Sequence, residues 1–213
     1  MKITSRLFAF TLYTTPLFIP LSAYATVGGG QHLEFLGYEP KDQKLYVLRH
    51  FEDGRGRLPQ LYYYQFSTQS TLKPQMIRVN SLYINPKTRK IDYDQDDAQF
   101  NQQLSKIKKR LKPLVKIKSE QIKLDLSQKS QKHVPSIFSE LSKIVQYRFR
   151  YQLYNPTHQS HKQEAISYTP KIRVNQAYSI PHQRQQIATV TYMAFPEEGG
   201  YNTEEPVLLI PKK

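Results

Sequence analysis

The sequence predicts a mainly β protein, with antiparallel strands in two pseudo-repeated halves and one inserted amphipathic helix. Three observations predict it. Short segments rich in Tyr, Val, Ile, Leu and Phe are punctuated by Pro, Gly, Asn and Asp, which is strand chemistry closed by turn formers. From Val145 to Tyr154, apolar Val145, Tyr147, Phe149, Tyr151 and Leu153 alternate with Gln146, Arg148, Arg150, Gln152 and Tyr154, the period of a strand with one buried and one cationic, amide-rich face. Finally, residues 77–89 recur at 172–184. An α+β arrangement and a small propeller-like one are the alternatives.

The chain opens with Lys2 and Arg6, an apolar run from Leu7 to Leu21, and Ala23-Tyr24-Ala25. A charged start, a short apolar stretch and small residues at the A-x-A positions make an export signal. Thr14, Thr15, Pro16 and Pro20 interrupt the run too much for a stable bilayer span. Cleavage after Ala25 is expected, with a periplasmic or secreted product. Residues 26–31, with three consecutive glycines, read as a flexible leader. Residues 32–213 are expected to form a single β-rich domain with a helical insertion at about 96–144.

Strands are predicted over 33–38, 44–51, 60–66 and 76–84, the second and third flanking the loop Glu52-Asp53-Gly54-Arg55-Gly56 as a hairpin. Phe100, Leu104, Ile107 and Leu111 are spaced four, three and four apart and form one helical face, which Pro113 ends. This helix, about 96–112, has acids at its start and lysines at its finish, as its dipole favours. A second helix over 136–144 is predicted from Ile137, Leu141 and Ile144, with Ser136 as its cap. Strands follow at 145–154, 172–180, 186–195 and 206–210, the last two bracketing the acidic loop Pro196-Glu197-Glu198-Gly199-Gly200.

Ile77-Arg78-Val79-Asn80, Tyr83, Pro86 and Arg89 recur as Ile172-Arg173-Val174-Asn175, Tyr178, Pro181 and Arg184, seven matches in thirteen positions at one fixed offset. Random pairing gives about one match in such a window. A looser copy links Gly37-Tyr38-Glu39-Pro40, leading into 45–51 and an acidic glycine loop, with Tyr178-Ser179-Ile180-Pro181, leading into 187–195 and another such loop. Both imply units that must stack to bury a bare face. Pro40, Pro86, Pro135 and Pro181 are spaced near a propeller blade's period, the basis of the propeller alternative.

The charge is +14, with 31 basic and 17 acidic residues and no cysteine. Thiol catalysis, cysteine-ligated metals and disulfides are excluded. Ten Lys or Arg lie between Lys106 and Lys132 against Glu120 and Asp125. The candidate binding residues are Lys106, Lys109 and Arg110 on the helix and Arg148 and Arg150 on the alternating strand. Their partner would be an anionic envelope polymer or lipid surface, or an envelope protein, and not nucleic acid; a solvated basic face is the plainer reading.

Other chemistry finds weaker patterns, and no cofactor is expected. Asp92, Asp94 and Asp96 have calcium-loop spacing, but Asp97 and Gln103 stand where a glycine and a glutamate belong. His158 and His161 lack nearby partners for a metal shell, and His50 lacks a serine nucleophile motif. Glu52, Asp53, Glu197 and Glu198 could converge as paired carboxylates, so the alternative to a non-enzymatic binding or scaffolding protein of the bacterial envelope is a carboxylate-dependent glycan hydrolase. Tyr62, Tyr63, Tyr64, Tyr147, Tyr151 and Tyr154 could present rings to sugars or peptides. The signal makes a direct prediction: N-terminal sequencing of the protein from an envelope fraction returns Thr26 first, and a chain that still begins at Met1 overturns the localisation.

Overall fold

The computed structural model describes residues 29–52, 54, 56–66, 75–136, 139, 141–196 and 200–212; the expected signal segment lies outside them. The protein is mainly β. Four strands, β1 (Gly30–Glu39), β2 (Lys44–Glu52), β3 (Gln60–Gln65) and β4 (Met76–Arg78), form an antiparallel sheet in sequence order. After the helix α1 (Asp97–Lys108) come β5 (Val115–Ile117), β6 (Lys123–Pro135), β7 (Lys143–Tyr154), β8 (His158–Ser160), β9 (Gln163–Ser167), β10 (Ile172–Ser179), β11 (Gln186–Phe195) and β12 (Tyr201–Pro211). These build a second sheet in the order β5-β10-β11-β12-β8-β7-β6, with β9 beside β7. Two sheets stand in place of a ring of blades. Among the described residues no helix is long and apolar enough to cross a membrane.

Both faces of the first sheet are covered, because β2 alternates two apolar sets. Leu45 and Val47 point toward the second sheet and pack with Leu33, Tyr64, Ile180 and Ile187. Tyr46 and Leu48 point the other way, onto Tyr83 and onto Phe100 and Leu104 of α1. Each fully buried aliphatic side chain of this kind contributes about 1.5–3 kcal/mol. The second sheet folds over itself, so that Phe149, Tyr151 and Leu153 of β7 meet Ala188, Val190 and Val207 of β11 and β12.

The looser of the two sequence copies has a structural counterpart. β1-β2-β3 and β10-β11-β12 are both three-stranded meanders. Each has a register shift in its first strand, between Phe35 and Gly37 or between Val174 and Ala177, after which Tyr38 pairs with Leu45 and Tyr178 with Ile187. The chain between α1 and β6 runs along both: Lys112 bridges Tyr38, and Lys116 pairs with Tyr178. The 95-residue match does not extend to conformation. After Arg78 the chain turns into a 3-10 helix at Ser81–Tyr83, because the buried Tyr83 hydroxyl donates to the Pro59 carbonyl and accepts from the Leu61 amide. Its sequence counterpart Tyr178 stays in a strand.

Other expectations need correction. The leader is shorter than expected, since β1 already includes Gly30 and Gln31. Among the described residues, the insertion at 96–144 is helical only at Asp97–Lys108 and in a short 3-10 turn at Ser119–Gln121, and it also contains β5, β6 and the start of β7. The described residues of 136–144 form no helix: Lys143 and Ile144 open β7, and Leu141, assigned to a buried face, is 98% exposed. Ile137 lies outside the described residues.

One buried carboxylate joins the two sheets. Glu204 of β12 is 2% exposed. Its Oε2 accepts the Leu33 amide of β1 at 2.8 Å. Its Oε1 accepts Asn175 Nδ2 at 2.8 Å, Gln176 Nε2 at 3.0 Å and the Thr189 hydroxyl. Gln176 Nε2 also donates to the Leu33 carbonyl at 3.0 Å, so the outer edge of β1 is satisfied by side chains instead of another strand. Burial pushes the Glu204 pKa up, but the donors from Thr189, Leu33, Gln176 and Asn175 outweigh it and hold the carboxyl below its ordinary value. Glu204→Ala is expected to lower unfolding free energy by about 3 kcal/mol, since buried donors lose a charged acceptor. Because the folded pKa is depressed, the advantage of the native protein over Glu204→Gln is present above roughly pH 4.3, the ordinary Glu value, and fades as pH falls through the folded pKa. Urea midpoints of the two proteins measured from pH 7 to pH 3 should converge toward acid.

Candidate functional site

The five cations singled out in the sequence occupy two separate surfaces. Asp96 caps α1 by accepting the Ala98 amide at 2.8 Å, and the buried pair Phe100 and Leu104 fixes which face of the helix meets the first sheet. Lys106, Lys109 and Arg110 are exposed, but they are not equivalent. Arg110 Nε donates to Glu39 Oε1 at 2.9 Å, and that carboxylate is only 5% exposed. Tyr46 donates to the other Glu39 oxygen at 3.2 Å, and burial first, then the Glu39 charge, pushes the Tyr46 hydroxyl up to about 12. Arg110 is therefore part of the packing of the helix, as is Lys108, which reaches Glu34 at 3.2 Å. Lys106 and Lys109 are left facing solvent.

Arg148 and Arg150 lie on the outer face of β7, as the alternation requires, since Phe149 and Tyr151 between and beyond them are buried. Register sets their neighbours. Arg150 stands between Gln128 and Glu164, and Arg148 between Ser130 and Ile166. Arg150 is neutralised: its Nε and one terminal nitrogen donate to Glu164 Oε1 at 3.1 and 2.7 Å, and this cation holds the Glu164 carboxyl below its ordinary pKa. Arg148 has no hydrogen-bond partner among the described residues. It sits where two shallow concavities meet. One, of about 280 Å³, is lined by Gln128, Ser130, Gln131, Lys132 and Gln146 together with Arg148; the other, of about 400 Å³, includes Glu164, Ile166 and Tyr192. Sequence reasoning missed Lys132 and its amide neighbours because they fell inside the helical insertion expected at about 96–144, and the pairing of β6 with β7 brings them beside Arg148.

The remaining candidates have structural partners. Asp92 accepts from Asn85 Nδ2 and from the Asp94 amide, so the aspartates shape a turn and cap α1. Both ring nitrogens of His158 are engaged, with the Thr157 hydroxyl and the Arg184 carbonyl. His50 stacks on His32 with ring centres 4.6 Å apart, and each imidazole contacts a carboxylate, Glu34 and Glu52 respectively. Among the described residues no group of three or more His, Cys, Asp or Glu could hold a metal. Tyr62 and Tyr64 face the interior and Tyr63 packs with the helix-side core.

Asp53, Glu197 and Glu198 lie outside the described residues. The bases of their loops do converge: Glu52, Gly200 and Asn202 line one small cleft with Glu204. Four donors hold Glu204 ionised, so it has no proton to give as a general acid. No family model, curated protein or solved structure matches the chain.

The helix cations can be separated by stability. Arg110→Gln removes the only cation on Glu39 among the described residues and should cost about 1–3 kcal/mol, whereas Lys106→Gln and Lys109→Gln should each stay within about 0.5 kcal/mol. Thermal or urea unfolding of the three single variants reads this directly.

Proposed function

We propose that the chain is a non-enzymatic binding or scaffolding protein of the bacterial envelope that holds an anionic polymer on the outer face of β6, β7 and β9. The observation that carries this reading is the unpaired Arg148 guanidinium, set beside Lys132 among amide and hydroxyl side chains. That combination suits a polymer bearing both charge and hydroxyl groups: the cations meet phosphate or carboxylate, and Gln128, Ser130, Gln131 and Gln146 exchange hydrogen bonds with hydroxyls. The charge of +14 adds a long-range field that gathers polyanions and that salt screens over about 8 Å at physiological strength. The N-terminal export signal supports the compartment, where phospholipid headgroups, lipopolysaccharide and cell-wall polymers are the available polyanions.

Binding of the purified protein to lipopolysaccharide, and to vesicles of anionic against zwitterionic phospholipid, tests the reading. Affinity is expected to fall steeply with added salt. The double variant Arg148→Gln, Lys132→Gln is expected to lose about tenfold or more, since each basic residue near a charged surface is worth about 1 kcal/mol. Lys106→Gln, Lys109→Gln should lose less. Binding that persists at high salt and in the β-face variant overturns the assignment, and binding that follows the helix variant instead moves the surface to α1.

A further inference from the structure

A concavity of about 870 Å³ lies at the end of the second sheet, within the 300–1,000 Å³ range of small-ligand sites. The last residues of β5, β7 and β10, the first of β6 and β11, the 3-10 turn before β6 and Lys212 just after β12 converge there. We propose that this cleft binds an acidic hexose unit, a sugar bearing a carboxylate or phosphate. The choice of an acidic sugar rests on the polymer class proposed above; the cleft itself rests on its own geometry.

Three features point to this ligand. An exposed ring, Tyr154, closes β7 on the same outer face as Arg148, six residues and roughly 20 Å along the strand. It is 40% exposed. A tyrosine ring offers a flat apolar surface to the C–H face of a sugar and a hydroxyl at its tip. Second, two ammonium groups flank that ring. Lys123 is opposite Tyr154 in the β6–β7 register, and Lys212 Nζ stands 5.5 Å from the ring centre. Neither forms an ion pair among the described residues, and Glu120 is the one acid lining the cleft, so an anionic substituent on a ring laid against Tyr154 meets two cations.

Third, the wall is rigid and offers hydrogen bonds. Asn155 is buried, and its Oδ1 accepts the Thr157 amide, the Thr157 hydroxyl and the His158 amide at 3.0, 3.2 and 2.7 Å. Its Nδ2 donates to Gln186 Oε1 at 2.9 Å. That bond fixes the Gln186 amide and leaves its NH2 end without a protein partner among the described residues, as are the Gln121 side-chain amide and the Ser179 hydroxyl. Preorganised donors and acceptors of this kind suit the hydroxyls of one sugar ring.

Titration of the full mature chain with glucuronic acid, glucose 6-phosphate, glucose and inorganic phosphate, followed by NMR shifts of the cleft amides, tests the proposal. Both acidic sugars are expected to bind at least several-fold more tightly than glucose or phosphate. Preference for one of them identifies the substituent. Tyr154→Ala should abolish the response and Tyr154→Phe should retain it, which separates loss of the ring from loss of the fold. Lys123→Gln, Lys212→Gln should erase the preference for acidic sugars over glucose. Arg148→Gln should leave all four titrations unchanged, so failure of the polymer reading and failure of the cleft are distinguishable. Equal binding of phosphate and glucose 6-phosphate, or acidic-sugar binding that survives Tyr154→Ala, overturns the proposal.

Discussion

The architecture depends on two neighbouring carboxylates, Glu204 and Glu205, that point to opposite sides of one strand. Glu204 reaches the backbone of β1 and gathers three side chains from β10 and β11 around it. Glu205 takes a two-point bond from Arg49 of β2, at 3.0 and 2.9 Å, while Arg49 also donates to Gln31. Period-two alternation along β12 thus turns one dipeptide into two anchors on the same partner sheet. The Glu205 charge is felt by the hydroxyls of Tyr64, Tyr151 and Tyr192; burial and then this charge push Tyr192 up to about 12. Hydrophobic contact between the sheets supplies the larger area, but it is non-directional. The carboxylates fix register, because a donor set of this kind is satisfied in one alignment and leaves buried polar groups unpaired in any other.

Charge and function are connected through the same economy of acids. Glu34, Glu39, Glu164, Glu204 and Glu205 are all engaged with a cation or with buried donors. Their partners, Lys108, Arg110, Arg150 and Arg49, are thereby neutralised. Among the cations that face outward without an ion pair are Lys106 and Lys109 on the helix, Arg148 with Lys132 on the sheet face, and Lys123 with Lys212 in the end cleft. Two of these cationic places, Arg148 with Lys132 and Lys123 with Lys212, lie along β7. A flat sheet face suits an extended ligand better than a compact one, which is the basis of the proposed polymer binding.

Much of this was legible in the sequence where burial is one-sided. β7, β2 and β11 carry the alternation or apolar runs that a half-buried or central strand needs, and α1 carries its stripe and its cap. β6 was not legible. Residues from Ser127 to Lys132 are polar and exposed on both faces, so no period marks the strand; β7 alone defines it by pairing. The false helix at 136–144 arose from apolar residues three and four apart, a spacing that chance supplies in any nine-residue window. For the repeat, Ile77-Arg78 and Ile172-Arg173 both lie in strands, but Tyr83 lies in a 3-10 helix and Tyr178 in a strand, whereas β1-β2-β3 and β10-β11-β12 share a register shift and a bridging segment. Of the site residues, Arg148 was legible from alternation. The partners of Arg110 and Arg150, and the neighbours Lys132 and Gln186, depend on strands brought together from far along the chain.

That distance has a kinetic consequence. Glu204 and its β1 partner Leu33 are 171 residues apart, and Arg49 and Glu205 are 156 apart. Until β12 and β10 have docked, the outer amide and carbonyl of Leu33 lack their Glu204 and Gln176 partners, and one face of the first meander is bare. Contacts of this separation are closed late and slowly, because the chain loses loop entropy before the contact repays it. The first meander is consequently the part of the folding chain most exposed to mispairing, and shielding β1 until β12 has folded would raise the yield of native protein without altering its final stability.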